Sequence, residues 1–231
     1  MSPNRLSRTA GLAAGSLCAL ALAATTAGAG SLKGTISSAK KQAPTKLKIT
    51  TDKKVCGKTP LYDQSLLVAD DGGLANAVVS INKVKKGKKA KPAAIQIDQK
   101  GCSYLPHVQA TVIDSTVKVI NSDSTLHNVH TFLDGETMFN MAMPIKGQKT
   151  DKDLEEGGVV EFKCDVHTWM KAYILVFNHP YFAVTAQDGS FEISDVPAGS
   201  YKVTIWHEKL GTKTQQVTVA DGADATLDFS F

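Results

Sequence analysis

Gly157-Gly-Val-Val-Glu-Phe-Lys-Cys164 is an apolar, β-branched run opened by a glycine pair, and it leads directly into Asp165-Val-His167-Thr-Trp-Met170. Such a run reads as a β-strand, so the strand delivers a thiol into a tight loop. That loop adds an imidazole three residues on and a thioether three residues further. With His127, 37 residues upstream of Cys164, the chain offers one thiolate, two imidazoles and one thioether. Soft sulfur suits the reduced copper ion and imidazole nitrogen the oxidised one. A Cys with two His and a weak axial Met is the donor combination of blue-copper electron-transfer sites. Alone, a strand Cys is a small buried hydrophobe; the joint occurrence of the four residues is what points to a metal.

Outward from this stretch, the chain is a succession of short alternating apolar runs punctuated by Gly, Asp and Asn, the pattern of an all-β protein. Strands are expected at 47–51, 75–81, 93–97, 107–113, 116–121, 128–133, 159–164 and 172–177, and again at 182–185, 189–193, 200–206, 212–219 and 225–231. No convincing amphipathic helix interrupts them. About 200 residues remain after a leader is removed, enough for two β-sandwich cores of ordinary size.

The segment from Tyr104 to Val176 resembles a cupredoxin of the amicyanin and plastocyanin-like branch. Its parts follow in order: Tyr104-Leu-Pro-His-Val-Gln-Ala-Thr-Val112, Val117-Lys-Val-Ile-Asn-Ser-Asp123, Leu126-His-Asn-Val-His130, Phe139-Asn-Met-Ala-Met-Pro144, the strand ending at Cys164, and the ligand loop. The resemblance implies a Greek-key sandwich over 99–178. It implies one type 1 copper, with His127 as upstream ligand and Cys164, His167 and Met170 in one short loop. It also implies that Asn128 ties the ligand strand to that loop, a solvated Asn being the alternative. His130 competes with His127, but residues three apart in a strand face opposite ways, so His130 is expected not to ligate. Trp169, Met138, Met141 and Met143 are expected to form an apolar collar around an exposed His167 edge or to fill the core. A Met-rich cuprous site is a weaker option, and His107, His179 and His207 are expected to be structural or exposed.

Phe182-Ala-Val-Thr-Ala-Gln-Asp-Gly-Ser-Phe-Glu-Ile-Ser-Asp-Val-Pro-Ala-Gly-Ser-Tyr-Lys-Val-Thr-Ile-Trp206 and Gln215-Gln-Val-Thr-Val219 resemble the later strands of a carboxypeptidase-regulatory-like, transthyretin-type sandwich. The Asp188-Gly189 and Pro197-Ala-Gly199 turns serve as hairpin punctuation. The opening strand of that family reads much like Gly72-Gly-Leu-Ala-Asn-Ala-Val-Val-Ser-Ile81. The expected organisation is therefore a smaller sandwich made of 46–98 and 179–231, with the cupredoxin inserted at 99–178.

Arg5 and Arg8 precede an apolar run from Gly11 to Ala24, and Ala27-Gly28-Ala29 follows. This reads as a cleaved secretory signal over 1–29, placing the protein in the periplasm or outside the cell; lipidation at Cys18 is disfavoured by the bulky Leu17 before it. Three cysteines then remain, and an oxidising compartment leaves one unpaired. With Cys164 on metal, Cys56 and Cys102 form a disulfide; pairing of Cys164 with either of them stays open. Removing Arg5 and Arg8 leaves 24 cations against 22 acids, a net of +2. Thirteen lysines lie in two tracts, Lys33–Lys54 and Lys83–Lys91, leaving an acidic body. Residues 30–45 are expected to be a disordered Lys/Ser-rich leader, and 83–92 a solvated hairpin tip.

The resemblance implies a carrier of single electrons between redox proteins, with no substrate transformed. The acidic body would suit a basic partner such as a cytochrome. No nucleic acid is expected as a partner, and the lysine tracts offer peripheral attachment to an anionic cell surface. A copper-delivery protein, and an extracellular binding module with a vestigial copper site, are the alternative functions.

Overall fold

A computed structural model describes Met1, residues 28–85 and residues 87–231. The expected signal over 1–29 falls almost wholly outside the described residues. The chain begins with β1 (Ala29–Ser37), the one-turn helix α1 (Lys53–Cys56) and β2 (Val78–Ile81). Then come β3 (Ala94–Gln99), β4 (Tyr104–Leu105), β5 (Val108–Val112), β6 (Ser115–Asn121), β7 (His127–Leu133), β8 (Glu136–Met143), β9 (Lys149–Leu154), β10 (Gly158–Lys163) and β11 (Lys171–Phe177). The C-terminal part holds β12 (Phe182–Val184), β13 (Ser190–Pro197), β14 (Gly199–His207), β15 (Gly211–Val219), β16 (Ala225–Thr226) and β17 (Phe229–Ser230). The protein is all-β.

Strands β3 to β11 make one sandwich, with sheet order β5-β11-β10-β7-β8 packed on β4-β3-β6-β9. Alternation along β6 turns Val117 and Val119 inward against Val129, Phe162 and Ile174. A second sandwich is the host into which the first is spliced. Its sheets are β13-β1-β16, with β17 also on β1, and β12-β2-β14-β15. Leu32, Ile36, Val79, Ile81, Val203 and Ile205 form its core.

Four expectations need correction. Residues 30–37 of the supposed disordered leader form β1, bonded to β13 on one side and to the chain's end on the other. Only Leu32 and Ile36 carry the buried face, and the small and basic residues between them hid the period. Gly34 is required there, because a Cβ would collide with the Leu227 carbonyl. Next, no strand covers 47–51. The segment 46–62 packs Ile49, Val55 and Leu61 on the inserted sandwich, whereas Leu66 and Val68 pack on the host. Third, the lysine tract is not a hairpin tip, since β2 and β3 lie in different sandwiches; it is a crossing between them, with the Lys88 amide donating to the Tyr181 hydroxyl. Last, β8 and β9 were not expected. Both are outer strands of their sheets, and Lys149-Thr-Asp-Lys-Asp-Leu154 carries the charges that protect such an edge.

The two sandwiches meet through Val78, Val108 and Leu175, flanked by Tyr173, Phe177 and Trp206. The Tyr173 and Trp206 rings meet edge to face at 5.4 Å. Beside them His107 of the inserted sandwich hydrogen-bonds Glu208 of the host, both nearly buried.

Candidate metal centre

Strand β7 places His127 at its first residue, and β10 ends one residue before Cys164; both lie in the same sheet, paired directly to each other. A tight turn follows Cys164, closed by the Met170 amide donating to the His167 carbonyl at 2.8 Å. The turn folds His167 back toward Cys164, with Sγ 3.7 Å from Nδ1. His127 Nδ1 and His167 Nδ1 lie 2.9 Å apart, and the three donor atoms all fall within 4.8 Å of one another. Both imidazoles are fully buried, and so is Met170.

The outer nitrogens fix the ring orientation. His127 Nε2–H donates to Asp123 Oδ2 at 3.0 Å, and His167 Nε2–H donates to Asp52 Oδ2 at 2.9 Å. A neutral imidazole carries one N–H, so both Nδ1 atoms present lone pairs inward. Two lone pairs 2.9 Å apart beside a thiol call for a positive charge between them. A proton meets that need in part: burial opposes charge on His127, but the Asp123 hydrogen bond and the neighbouring Cys164 outweigh it and push the pKa to about 9. Burial likewise opposes the Cys164 thiolate, yet hydrogen bonding from His127 and from the amides of Asn128, His167 and Val166 holds the thiol below its ordinary value. Burial keeps His167 below its ordinary value despite Asp52, and the charge on His127 adds to the effect. The thiolate and two imidazoles that converge here fit a copper ion, and Met170, three residues past His167, is buried in the core of the same sandwich.

The frame around these donors is built by hydrogen bonds. Asn128 Oδ1 accepts the Asp165 amide at 2.6 Å, and Asn128 Nδ2 donates to Asp165 Oδ2 and Asn140 Oδ1. The strand carrying His127 is thereby tied to the ligand loop. Tyr104, buried beneath, donates its hydroxyl to the carbonyls of Asn128 (2.8 Å) and Lys163 (3.0 Å). Burial first, then the charges of Cys164 and Asp165, push its phenol well above the ordinary value, which keeps the donor proton in place. Cys56 and Cys102 are joined in a disulfide, and Cys164 is the free thiol among the described cysteines.

One further expected role differs. The exposed His167 edge is absent, because Asp52 and Cys56 cover the ring. Met143 is fully buried and its Sδ accepts from Gln99 Nε2; Met138, Met141 and Trp169 pack on the core, and Trp169 Nε1–H donates to the Cys102 carbonyl. His130 faces Asp165 and Thr137, while His179 and His207 accept nearby amides. Sequence reasoning missed Tyr104, Asp123 and Asp52. Asp123, four residues before His127, had a local signal; Asp52, 115 residues from His167, had none.

The model of the carboxypeptidase regulatory-like domain matches residues 170–231. Its first residues include β11, which lies in the inserted sandwich between β5 and β10, and host strands β1 and β2 lie outside the match. No curated protein matches the chain. Among solved structures, a purple cupredoxin from Nitrosopumilus maritimus is similar at 24% identity, covering 36% of this chain and 98% of that one, with a TM-score of 0.32. A Cu(I) form of an amicyanin mutant is 22% identical, covering 42% and 97%, with a TM-score of 0.33. A copper-containing nitrite reductase from Thermus scotoductus is 19% identical, covering 42% of this chain and 25% of that one, with a TM-score of 0.32.

Proposed function

We propose that the inserted sandwich holds one type 1 copper on His127, Cys164, His167 and Met170, and that the protein carries single electrons between redox partners. Convergence of His127 Nδ1, Cys164 Sγ and His167 Nδ1 at one end of the sandwich carries this reading. Copper bound there supplies a one-electron couple. Cys164 enters as thiolate and gives up its proton on binding. Asp123 and Asp52 hold the two rings in the tautomer that leaves Nδ1 free, and Asn128 and Tyr104 keep strand and loop in register, so the donor set is preorganised.

Export fits the Arg5 and Arg8 leader and the Cys56–Cys102 bridge, since such bridges persist in oxidising compartments. A redox protein such as a cytochrome is the proposed partner. Leu126 and Ile145 are exposed next to His127 and Met143-Pro144 and offer it an apolar contact.

Absorption and paramagnetic-resonance spectra of the copper-loaded protein test the reading. An intense visible thiolate-to-copper band, reversibly bleached by one electron and lost in Cys164→Ser, is expected. A colourless protein that binds only Cu(I) and surrenders it readily would favour copper delivery instead.

A further inference from the structure

The two ligand histidines meet the chain in different ways. His127 is braced from within its own sandwich by Asp123, whose carboxylate also accepts the amides of Gly101 and Cys102. His167 is braced from outside it, by a loop whose two ends meet. Lys46 bridges Tyr62, the Leu47 amide donates to the Leu61 carbonyl at 2.8 Å, and the Asp63 amide donates to the Thr45 carbonyl at 2.9 Å. A compact surface loop with adjoining ends and side chains packed beneath it is frequently functional. Ile49, Val55 and Leu61 pack on the inserted core, and Thr51 Oγ1 donates to the Val166 carbonyl within the ligand loop.

The tip of this loop closes the site. Asp52 sits in the left-handed region at φ 46, its carbonyl accepts the amides of Val55 and Cys56, and its carboxylate accepts the His167 Nε2–H. Cys56 Sγ lies 3.7 Å from the same nitrogen and is bonded to Cys102. With one helical turn and little regular pairing, the loop depends on this covalent tie.

We propose that residues 46–62 are a lid over the metal site, latched by Cys56–Cys102, and that Asp52 is the positioning residue that holds His167 with Nδ1 turned inward. The metal itself comes from the function proposed above; lid and latch stand on the contacts alone. Cys56 and Cys102 are buried when the lid is shut, so opening is a thiol–disulfide exchange with an external dithiol that reaches the bridge during local unfolding of the loop. A thiolate of the dithiol attacks one sulfur of the bridge to give a mixed disulfide, and its second thiol then displaces that sulfur. Cys56 and Cys102 leave as thiols bearing two protons, and the dithiol departs as a disulfide. The open lid lets the site load or release its ion, and the closed lid keeps His167 away from solvent and from partners.

The latch is tested on the metal-free protein, with iodoacetamide labelling of Cys164 assigned by peptide mass spectrometry and hydrogen exchange followed in parallel. In Cys56→Ser/Cys102→Ser, Cys164 is expected to label at least about tenfold faster, and 46–62 to gain in exchange rate by a larger factor than β10 and β11, whose slow exchange persists. Unchanged labelling with the fold intact overturns the lid. If β10 and β11 lose protection as completely as 46–62, the native chain reduced with a dithiol and then re-oxidised decides: labelling of 46–62-covered Cys164 that rises and falls reversibly supports the latch, and labelling that does not change refutes it. Asp52 is tested by nitrogen magnetic resonance of the His167 ring in the metal-free protein. Asp52→Ala is expected to lose the Nε2–H tautomer, and Asp52→Asn, which keeps an accepting oxygen, to retain it; an unchanged tautomer in Asp52→Ala refutes the positioning role. Cu(II) affinity is expected to fall about 10- to 100-fold in Asp52→Ala. A protein that shows no thiolate–copper band but passes the metal-free tests loses the copper reading and keeps the lid.

Discussion

His127 and His167, forty residues apart in the chain, aim their Nδ1 atoms at each other across 2.9 Å, and each donates its outer Nε2–H to a carboxylate. One ring belongs to a sheet strand and the other to a turn, so their meeting is set by whatever fixes strand to turn. Asn128 does this, and it yields the first test.

Asn128→Ala removes three hydrogen bonds and leaves the Asp165 amide without its acceptor. A loss of roughly 1–3 kcal/mol is expected in urea unfolding. The copper-loaded variant is expected to show an altered visible spectrum, because the turn no longer holds its register.

Met170→Leu conserves volume at a buried position, so stability should change by less than about 1.5 kcal/mol. Loss of a thioether donor raises the potential if Met170 acts as the axial ligand. Voltammetry of the variant showing no upward shift would remove Met170 from the donor set.

Cys56→Ser with Cys102→Ser opens a closed stretch with a sequence separation of 46. The chain-entropy relation gives a loss of roughly 4 kcal/mol. Guanidinium unfolding of the metal-free protein measures it, and the deficit should fall on the inserted sandwich.

Acid should weaken the host. Burial alone holds His179 below its ordinary 6.5, and burial, aided by His107 and opposed by Glu208, does the same for His207. The unfolded chain therefore binds protons that the folded chain refuses, so stability is full above pH 6.5 and falls as pH drops from there toward the depressed folded values. Thermal melts across this window are expected to flatten in His207→Asn at equal ionic strength. An equal slope in native and variant would remove His207 as a source.

Glu208→Leu takes the acceptor from His107 at the junction of the two sandwiches. His107 keeps its Nδ1 contact with the Lys171 carbonyl, and loss of the nearly buried hydrogen bond to a carboxylate is expected to cost roughly 1.5–3 kcal/mol. Calorimetry should then resolve two transitions more widely separated than in the native protein.

The legible parts of the molecule are those whose signals are local. Cys164, His167 and Met170 share one turn, so their spacing speaks directly, and the alternation of Val117 and Val119 announces β6. The Cys56–Cys102 bridge followed from cysteine count once Cys164 was set aside, and the structure contains it. Long-range partners left no trace. Asp52 reaches His167 across 115 residues from a segment without period, and Tyr104 looks like any core aromatic until its hydroxyl is seen between two carbonyls. β1 was masked by Lys33 and Gly34, both placed by neighbours at the opposite end of the chain: Asp224 pairs with Lys33, and the Leu227 carbonyl crowds Gly34. Exposure of His167 was inferred from the ligand loop alone, and the covering loop overturns it.

The pairing of β1 with β16 and β17 sets an order on synthesis. Every core residue of the inserted sandwich precedes Phe177, whereas β1, among the earliest described residues to emerge from the ribosome, finds β16 and β17 only after the whole inserted sandwich and β12 to β15 have been made. Domains generally fold as units while the chain is still growing. The donor-bearing half can therefore be finished while its host still shows an open edge along β1, and a transcript that stops short of Ala225 would leave that edge bare and prone to pair with a neighbouring chain.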